Sequence, residues 1–113
     1  MKRIHLHPER RRVRVTHKGE TIADTHDALR LEEVGHPPVH YVPRRDVNMQ
    51  LFVPSAHKTR CPYKGEASYY SIADGPPDAA WSYEAPLQEV EEIAGHLAFY
   101  PDRVDSIEER AGA

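Results

Sequence analysis

Cysteine is almost missing from this sequence: Cys61 is the one thiol in 113 residues. A single thiol rules out an internal disulfide and any zinc site built from two Cys-x-x-Cys pairs. Long apolar runs are missing as well. No stretch approaches the roughly 20 apolar residues that span a bilayer, and the opening Met1-Lys2-Arg3-Ile4-His5-Leu6-His7 lacks the apolar stretch of a signal peptide. A soluble, cytoplasmic protein without membrane attachment is the expectation. Glycine is sparse at six residues. The glycines around Lys64-Gly65 do not have the Gly-x-x-x-x-Gly-Lys-Ser/Thr spacing of a phosphate loop. Internal repeats and low-complexity tracts are absent.

What is present points to short elements. Ten prolines and an apolar content of 39% fit one domain with many turns and a small, aromatic-rich core. The net charge of −3 is unevenly spread: residues 1–20 hold seven Lys/Arg against two acids, and residues 84–113 hold eight acids against two Arg. The two ends are therefore matched to attract each other, within a monomer or across a homodimer. Arg10, Arg11, Arg12 and Arg14 in a chain of negative net charge argue against nucleic acid as a partner. Their expected role is the charged defence of an edge strand.

Arg12-Val13-Arg14-Val15-Thr16 alternates polar and apolar, His17-Lys18-Gly19-Glu20 supplies a turn, and Thr21-Ile22-Ala23-Asp24 returns, so a hairpin opens the domain. Leu29 and Leu31 share a face of a short strand that Gly35-His36-Pro37-Pro38 ends. Val39-His40-Tyr41-Val42 is the next strand, closed by Pro43. Leu51-Phe52-Val53 is a buried piece stopped by Pro54-Ser55. Residues 59–71 then gather the cysteine, a lysine beside a glycine, and three of the six tyrosines into one turn-then-strand unit. Across the loop Asp74-Gly75-Pro76-Pro77-Asp78, residues 66–72 and 79–84 read as neighbouring strands, with Trp81 and Tyr83 on one face. Leu87, Val90, Ile93 and Ala94 recur at helical spacing before Gly95, a good terminator. Residues 96–100 form the last strand, and 105–113 read as a frayed tail beyond a single domain over 1–104. About seven short strands and one helix make a mainly β domain.

Cys61 and Lys64 are the catalytic candidates. A thiolate nucleophile needs a base or a positive neighbour, and His57, Arg60 and Lys64 lie close in sequence. Cysteine is also among the most buried residue types, so packing is the expected role of Cys61. Gly65 permits a tight turn that can aim the Lys64 ammonium into a pocket or leave it in solvent. Tyr41, Tyr63, Tyr69, Tyr70, Trp81, Tyr83 and Tyr100 fall mostly on strands and suit a core; Trp81 with Tyr69 and a nearby Lys64 is the expected pocket. Eight histidines include His5-x-His7 on one strand face, with His36 and His40 able to converge with others. No set shows the spacing of a closed zinc site, and neither metal nor cofactor is expected. Asp24, Glu32, Asp46, Glu66 and Glu84 are possible acid or base partners whose pairing the sequence leaves open.

In order along the chain, Ile22-Ala23-Asp24-Thr25, Ala28-Leu29-Arg30-Leu31, Pro38-Val39-His40-Tyr41-Val42-Pro43, Asp46-Val47, Thr59-Arg60-Cys61-Pro62-Tyr63-Lys64-Gly65-Glu66-Ala67-Ser68-Tyr69-Tyr70, Ala80-Trp81-Ser82-Tyr83 and Ile93-Ala94-Gly95-His96-Leu97-Ala98-Phe99-Tyr100 form a recurring set. Together they resemble the bacterial family catalogued as domain of unknown function 427, over residues 13–104. Cys-Pro-Tyr-Lys-Gly at 61–65 and Trp-Ser-Tyr at 81–83 are its most specific marks. The resemblance implies a β-tent, two antiparallel sheets splayed at an angle with one or two short helices, a fold shared with methionine-sulfoxide reductase B and the ligand-binding domain of cereblon. Those relatives clasp structural zinc with Cys-x-x-Cys pairs, which this chain lacks. The family also carries a nucleotidyltransferase-like label. Nucleotidyl transfer uses clustered carboxylates that hold a divalent metal against a triphosphate. Asp24-x-x-Asp27 is the nearest approach to such a cluster here.

The leading expectation is a binder of a small planar or anionic molecule, in a pocket lined by Tyr41, Tyr69, Trp81 and Tyr83 with Lys64, Arg30 and Glu66 as polar groups. One alternative is an enzyme, either nucleotidyltransferase-like or dependent on Cys61 with Lys64 stabilising negative charge. The other is a protein-interaction module that uses the basic and acidic ends.

Overall fold

The computed structural model describes residues 2–111. Ten strands account for most of it: β1 (Ile4–Pro8), β2 (Arg12–His17), β3 (Glu20–Thr25), β4 (Leu29–Glu33), β5 (Val39–Tyr41), β6 (Phe52–Cys61), β7 (Gly65–Ile72), β8 (Ala80–Ser82), β9 (Leu97–Phe99) and β10 (Ser106–Arg110). The domain is mainly β, as expected. All strand pairs are antiparallel and fall into three sheets ordered β1-β4-β5, β10-β2-β3 and β6-β7-β8-β9. The first and last of these meet at a corner just past β5. There Val42 and Leu97 exchange both backbone hydrogen bonds, at 2.7 and 2.8 Å.

The four-stranded sheet occupies the middle because β7, β8 and β9 carry buried or half-buried residues on both faces, whereas β6 beyond Phe52 is largely exposed. Ala80, Leu97, Phe99 and Ile72 belong to one buried cluster with Val15, Ile22 and Ala23 of the β2 sheet. Ala98, between Leu97 and Phe99, and Tyr69 and Tyr83, an odd three positions from Ile72 and Ala80, belong to the other cluster with Ile4, Leu31 and Tyr41 of the β1 sheet. Period-two alternation thus feeds two cores from one sheet. β9 is buried along its whole length for that reason.

Four local expectations need correction. The segment at 87–94 is not an α-helix but a 3-10 segment over Gln88–Ile93, broken at Val90 (φ −125°, ψ 26°). Leu87, Val90 and Ile93 are spaced by three, which matches the three-residue turn of a 3-10 helix better than 3.6. The piece at 51–53 is buried only at Phe52: Leu51 ends a 3-10 turn, Val53 is exposed, and Phe52 opens β6, which continues past Pro54 because a register shift between Pro54 and Lys58 absorbs the proline. The tail over 105–110 is not frayed: β10 pairs with β2, placing Glu108 opposite Arg14 and Glu109 opposite Val13 beside Arg11. Residues 112 and 113 lie outside the described residues. Finally, β2 is the central strand of its sheet rather than an edge. Arg12 and Arg14 are spent on Asp24, with Arg12 Nε donating to Oδ1 at 2.7 Å and Arg14 Nη2 to Oδ2 at 3.2 Å. Among the described residues no helix is long and apolar enough to cross a membrane.

Candidate functional site

Pairing of β7 with β8 sets Tyr69 directly opposite Trp81, and pairing of β8 with β9 sets Trp81 opposite Ala98. A small residue beside a large one leaves room above the alanine. Trp81 and Tyr100 take that room, with ring centroids 4.4 Å apart. From the β1 sheet Tyr41 meets Trp81 edge-on at 6.3 Å and receives its indole N–H at 3.3 Å. Tyr83 lies 6.4 Å from Tyr41. These rings, with Tyr69, wall a cleft of about 430 Å³ that Cys61 and Lys64 also line.

The hairpin between β6 and β7 delivers Lys64. The turn closes through Lys64 N–H to the Cys61 carbonyl at 3.3 Å, and Gly65 follows with φ +113°, a region that L side chains seldom occupy. The backbone of Ala85, Pro86 and Leu87 crosses 3.6 Å from where a Cβ would sit. Gly65→Ala is therefore expected to cost about 1–3 kcal/mol through backbone strain. Urea denaturation measures it, and a cost near zero would show that the turn relaxes.

The Lys64 ammonium is nearly buried and donates to Glu33 Oε1 at 2.7 Å; Arg3 Nε stands 3.4 Å from the other oxygen. Burial alone would raise the Glu33 carboxyl, but Lys64, assisted by His36 and Arg3, brings it below its ordinary range. Two cations thus share one carboxylate, and the cleft has a cationic surplus. Burial raises the phenols of Tyr41 and Tyr83, and that of Tyr100 to about 12, so all three keep their protons at neutral pH. Among the described residues neither Tyr41 nor Tyr83 donates a hydrogen bond, which leaves two O–H donors on the wall.

Of the residues expected in one pocket, Tyr41, Lys64, Tyr69, Trp81 and Tyr83 come together. Glu66 does not: it is exposed on the opposite face of β7, level with Arg60. Arg30 lines a second cleft. Arg3, Glu33, His36 and Tyr100 also line the aromatic cleft. Only Tyr100 had a signal in the sequence, because it follows Ala98 at a spacing of two. Cys61 is partly buried, and the His57 ring packs 4.6 Å from the Tyr69 ring. Among the described residues no hydrogen bond joins His57 to Cys61. Asp24 is taken by Arg12 and Arg14 and Asp27 by Arg45, so guanidiniums occupy the carboxylates nearest to a metal-holding pair. Of the other carboxylates, Glu32 meets His7 and Arg30, Asp46 accepts from Thr25, and Glu84 meets Arg44.

One cluster among the described residues has the composition of a metal site. Glu9, His40 and Glu109 bring ligand atoms within 4.8 Å of one another. Glu9, however, already accepts two side-chain N–H groups of Arg11 at 3.0 Å, one of Arg30 at 3.3 Å and the His40 ring at 3.0 Å, and Arg11 also reaches Glu109 at 2.9 Å. A cation entering there would have to displace a guanidinium. The cluster is an ion-pair network that ties the connection between β1 and β2 to β4, β5 and β10.

A small antiparallel β domain with an aromatic, cation-edged cleft is the class these features define. The chain belongs to the family described as Domain of unknown function (DUF427), whose model, labelled NTP_transf_9, matches residues 5–110. No curated protein matches the chain.

Proposed function

We propose that the aromatic cleft binds a small planar molecule bearing an anionic group. The observation that carries this reading is the convergence of Tyr41, Tyr69, Trp81, Tyr83 and Lys64 on one concavity of about 430 Å³, the size and composition of a small-ligand pocket. Aromatic faces suit a flat apolar body, and the phenol donors and the cationic surplus of Lys64 and Arg3 over Glu33 suit an anionic substituent. Glu66 has no part in this site.

Benzoate and larger aromatic carboxylates titrated by calorimetry test the reading. Trp81→Ala is expected to weaken whichever carboxylate binds by about tenfold or more, the equivalent of one lost aromatic contact. A folded Trp81→Ala protein with unchanged affinity for every ligand found would remove the cleft from consideration. The enzyme reading with Cys61 as nucleophile draws no support from the position of His57. Labelling with a thiol reagent tests it separately: a Cys61 that reacts only after unfolding ends that reading.

A further inference from the structure

The aromatic cleft contains a buried hydroxyl that the protein itself does not use. Tyr83 is only 6% exposed, and among the described residues its O–H has no hydrogen-bond partner. The neighbouring phenols differ: the Tyr41 oxygen receives the Trp81 indole N–H at 3.3 Å, and the Tyr69 hydroxyl meets those of Thr59 at 2.8 Å and Tyr100 at 3.4 Å. A hydroxyl sealed away without a partner costs about 1–3 kcal/mol. The Tyr83 oxygen avoids that cost, because it is not among the unpartnered side-chain atoms closed off from solvent and opens on the cleft whose wall it forms. Its place is fixed. Gly95 N–H donates to the Tyr83 carbonyl at 3.1 Å, a bridge ties Tyr83 to Ala94, and the Tyr41 ring packs 6.4 Å away. Burial raises the phenol, so the group is a donor at neutral pH. Glu33, the one carboxylate among the residues that line the cleft, is already held by Lys64 and Arg3 and cannot serve as its acceptor.

From this geometry we propose that Tyr83 is the specificity-determining residue of the aromatic cleft. Its O–H selects planar acids that carry a second, neutral hydrogen-bond acceptor, a ring nitrogen or a carbonyl oxygen, on the aromatic body. The inference rests on the reading of the cleft given above and names the ligand class within it: heteroaromatic or carbonyl-bearing carboxylates in preference to plain aromatic acids. A plain ring entering the cleft would cover the hydroxyl and leave it unpaired, whereas an acceptor at that point would satisfy it. Sites that hold a donor for the ligand discriminate strongly against the analogue that lacks the acceptor. The acceptor is neutral because the aromatic walls around Tyr83 would penalise a second charge.

Exchange of a ring C–H for N isolates the acceptor, since size, planarity and the single negative charge at pH 7 are all kept. The full chain is titrated by calorimetry with benzoate against nicotinate and isonicotinate, and with 2-naphthoate against the matching quinolinecarboxylates. At least one nitrogen isomer is expected to bind about tenfold tighter than its parent, the equivalent of one hydrogen bond gained together with one unpaired hydroxyl avoided. In Tyr83→Phe that ratio should fall to near one: the nitrogen isomer loses its donor, and the parent binds tighter because it no longer covers a hydroxyl. The substitution deletes one atom that bonds to nothing in the protein, so the variant keeps its fold, which thermal denaturation checks. Nitrogen isomers that never exceed their parents, or a preference that survives in Tyr83→Phe, overturn the role of Tyr83 and leave the planar-acid cleft standing wherever benzoate or naphthoate binds. If only nitrogen isomers bind, and Tyr83→Phe abolishes it, both readings are upheld. If no aromatic acid binds, the planar-acid cleft fails and this inference falls with it.

Discussion

Replacing Glu9 by alanine is expected to lower the unfolding free energy by about 3–5 kcal/mol, the range for removing one partner of a buried ion pair. The 44% exposure of Arg11 favours the lower part of that range, because Arg11 can find water when its partner is lost. Arg30 and His40 have less freedom to do so. Arg30 Nε faces Glu32 at 3.2 Å, and the His40 side chain is only 11% exposed. The same carboxyl governs behaviour in acid. Arg11 first, then His40, hold the Glu9 carboxyl well below the usual carboxylate range against the effect of burial. A carboxyl whose pKa is lowered by folding stabilises the protein above its unfolded value, about 4.3 for Glu, and that stabilisation is lost as pH falls through the folded value. Asp24, held down chiefly by Arg12, and Glu33 act in the same sense. Stability should therefore fall steeply below about pH 4. Glu9→Gln should stay folded at pH 7 and show a shallower slope in urea denaturation followed from pH 7 downward. An unchanged slope would assign acid lability to Asp24 and Glu33 instead.

Leu97→Ala is the second large effect, at about 2–5 kcal/mol. Leu97 has no exposed surface, packs in the cluster with Val15, Ile22, Phe52 and Phe99, and carries the backbone exchange with Val42. Three sheets converge near it, so a cavity there has rigid walls and little chance to close. The cost should appear as a lower urea midpoint at unchanged slope, with benzoate binding retained where the variant is folded. A loss under about 1 kcal/mol would mean that Phe52 and Phe99 collapse into the space.

Much of this architecture was legible in the residues because alternation is a local signal. The hairpin of Val13, Val15 and Ile22, the strand of Leu29 and Leu31, and the facing pair Tyr69 and Trp81 all follow from period two. What escaped depends on distant partners. Ser106–Arg110 has too little apolar character to read as a strand alone; it is ordered by its backbone pairing with β2 and by the ion pair of Glu109 with Arg11, a charge match visible in the sequence without its geometry. Glu66 falls outside the pocket because it stands three positions from Tyr69, an odd spacing that puts the two on opposite faces of β7, so strand parity already argued against it. Arg3 and Glu33 enter the site through the pairing of Ile4 with Glu33, which no local pattern announces.

The pairing of β10 with β2 also has a meaning in time. Thr16 and Ser106, 90 residues apart, share a side-chain hydrogen bond at 2.6 Å, so the sheet they belong to closes one of the longest loops the chain contains. Loop-closure entropy must be met before such a contact returns anything, which places the pairing late in folding and slows the whole process. Until then β2 carries an unpaired backbone edge. A chain cut before Ser106 would hold that vulnerable intermediate permanently, with the outer backbone edge of β2 open to whatever strand arrives first.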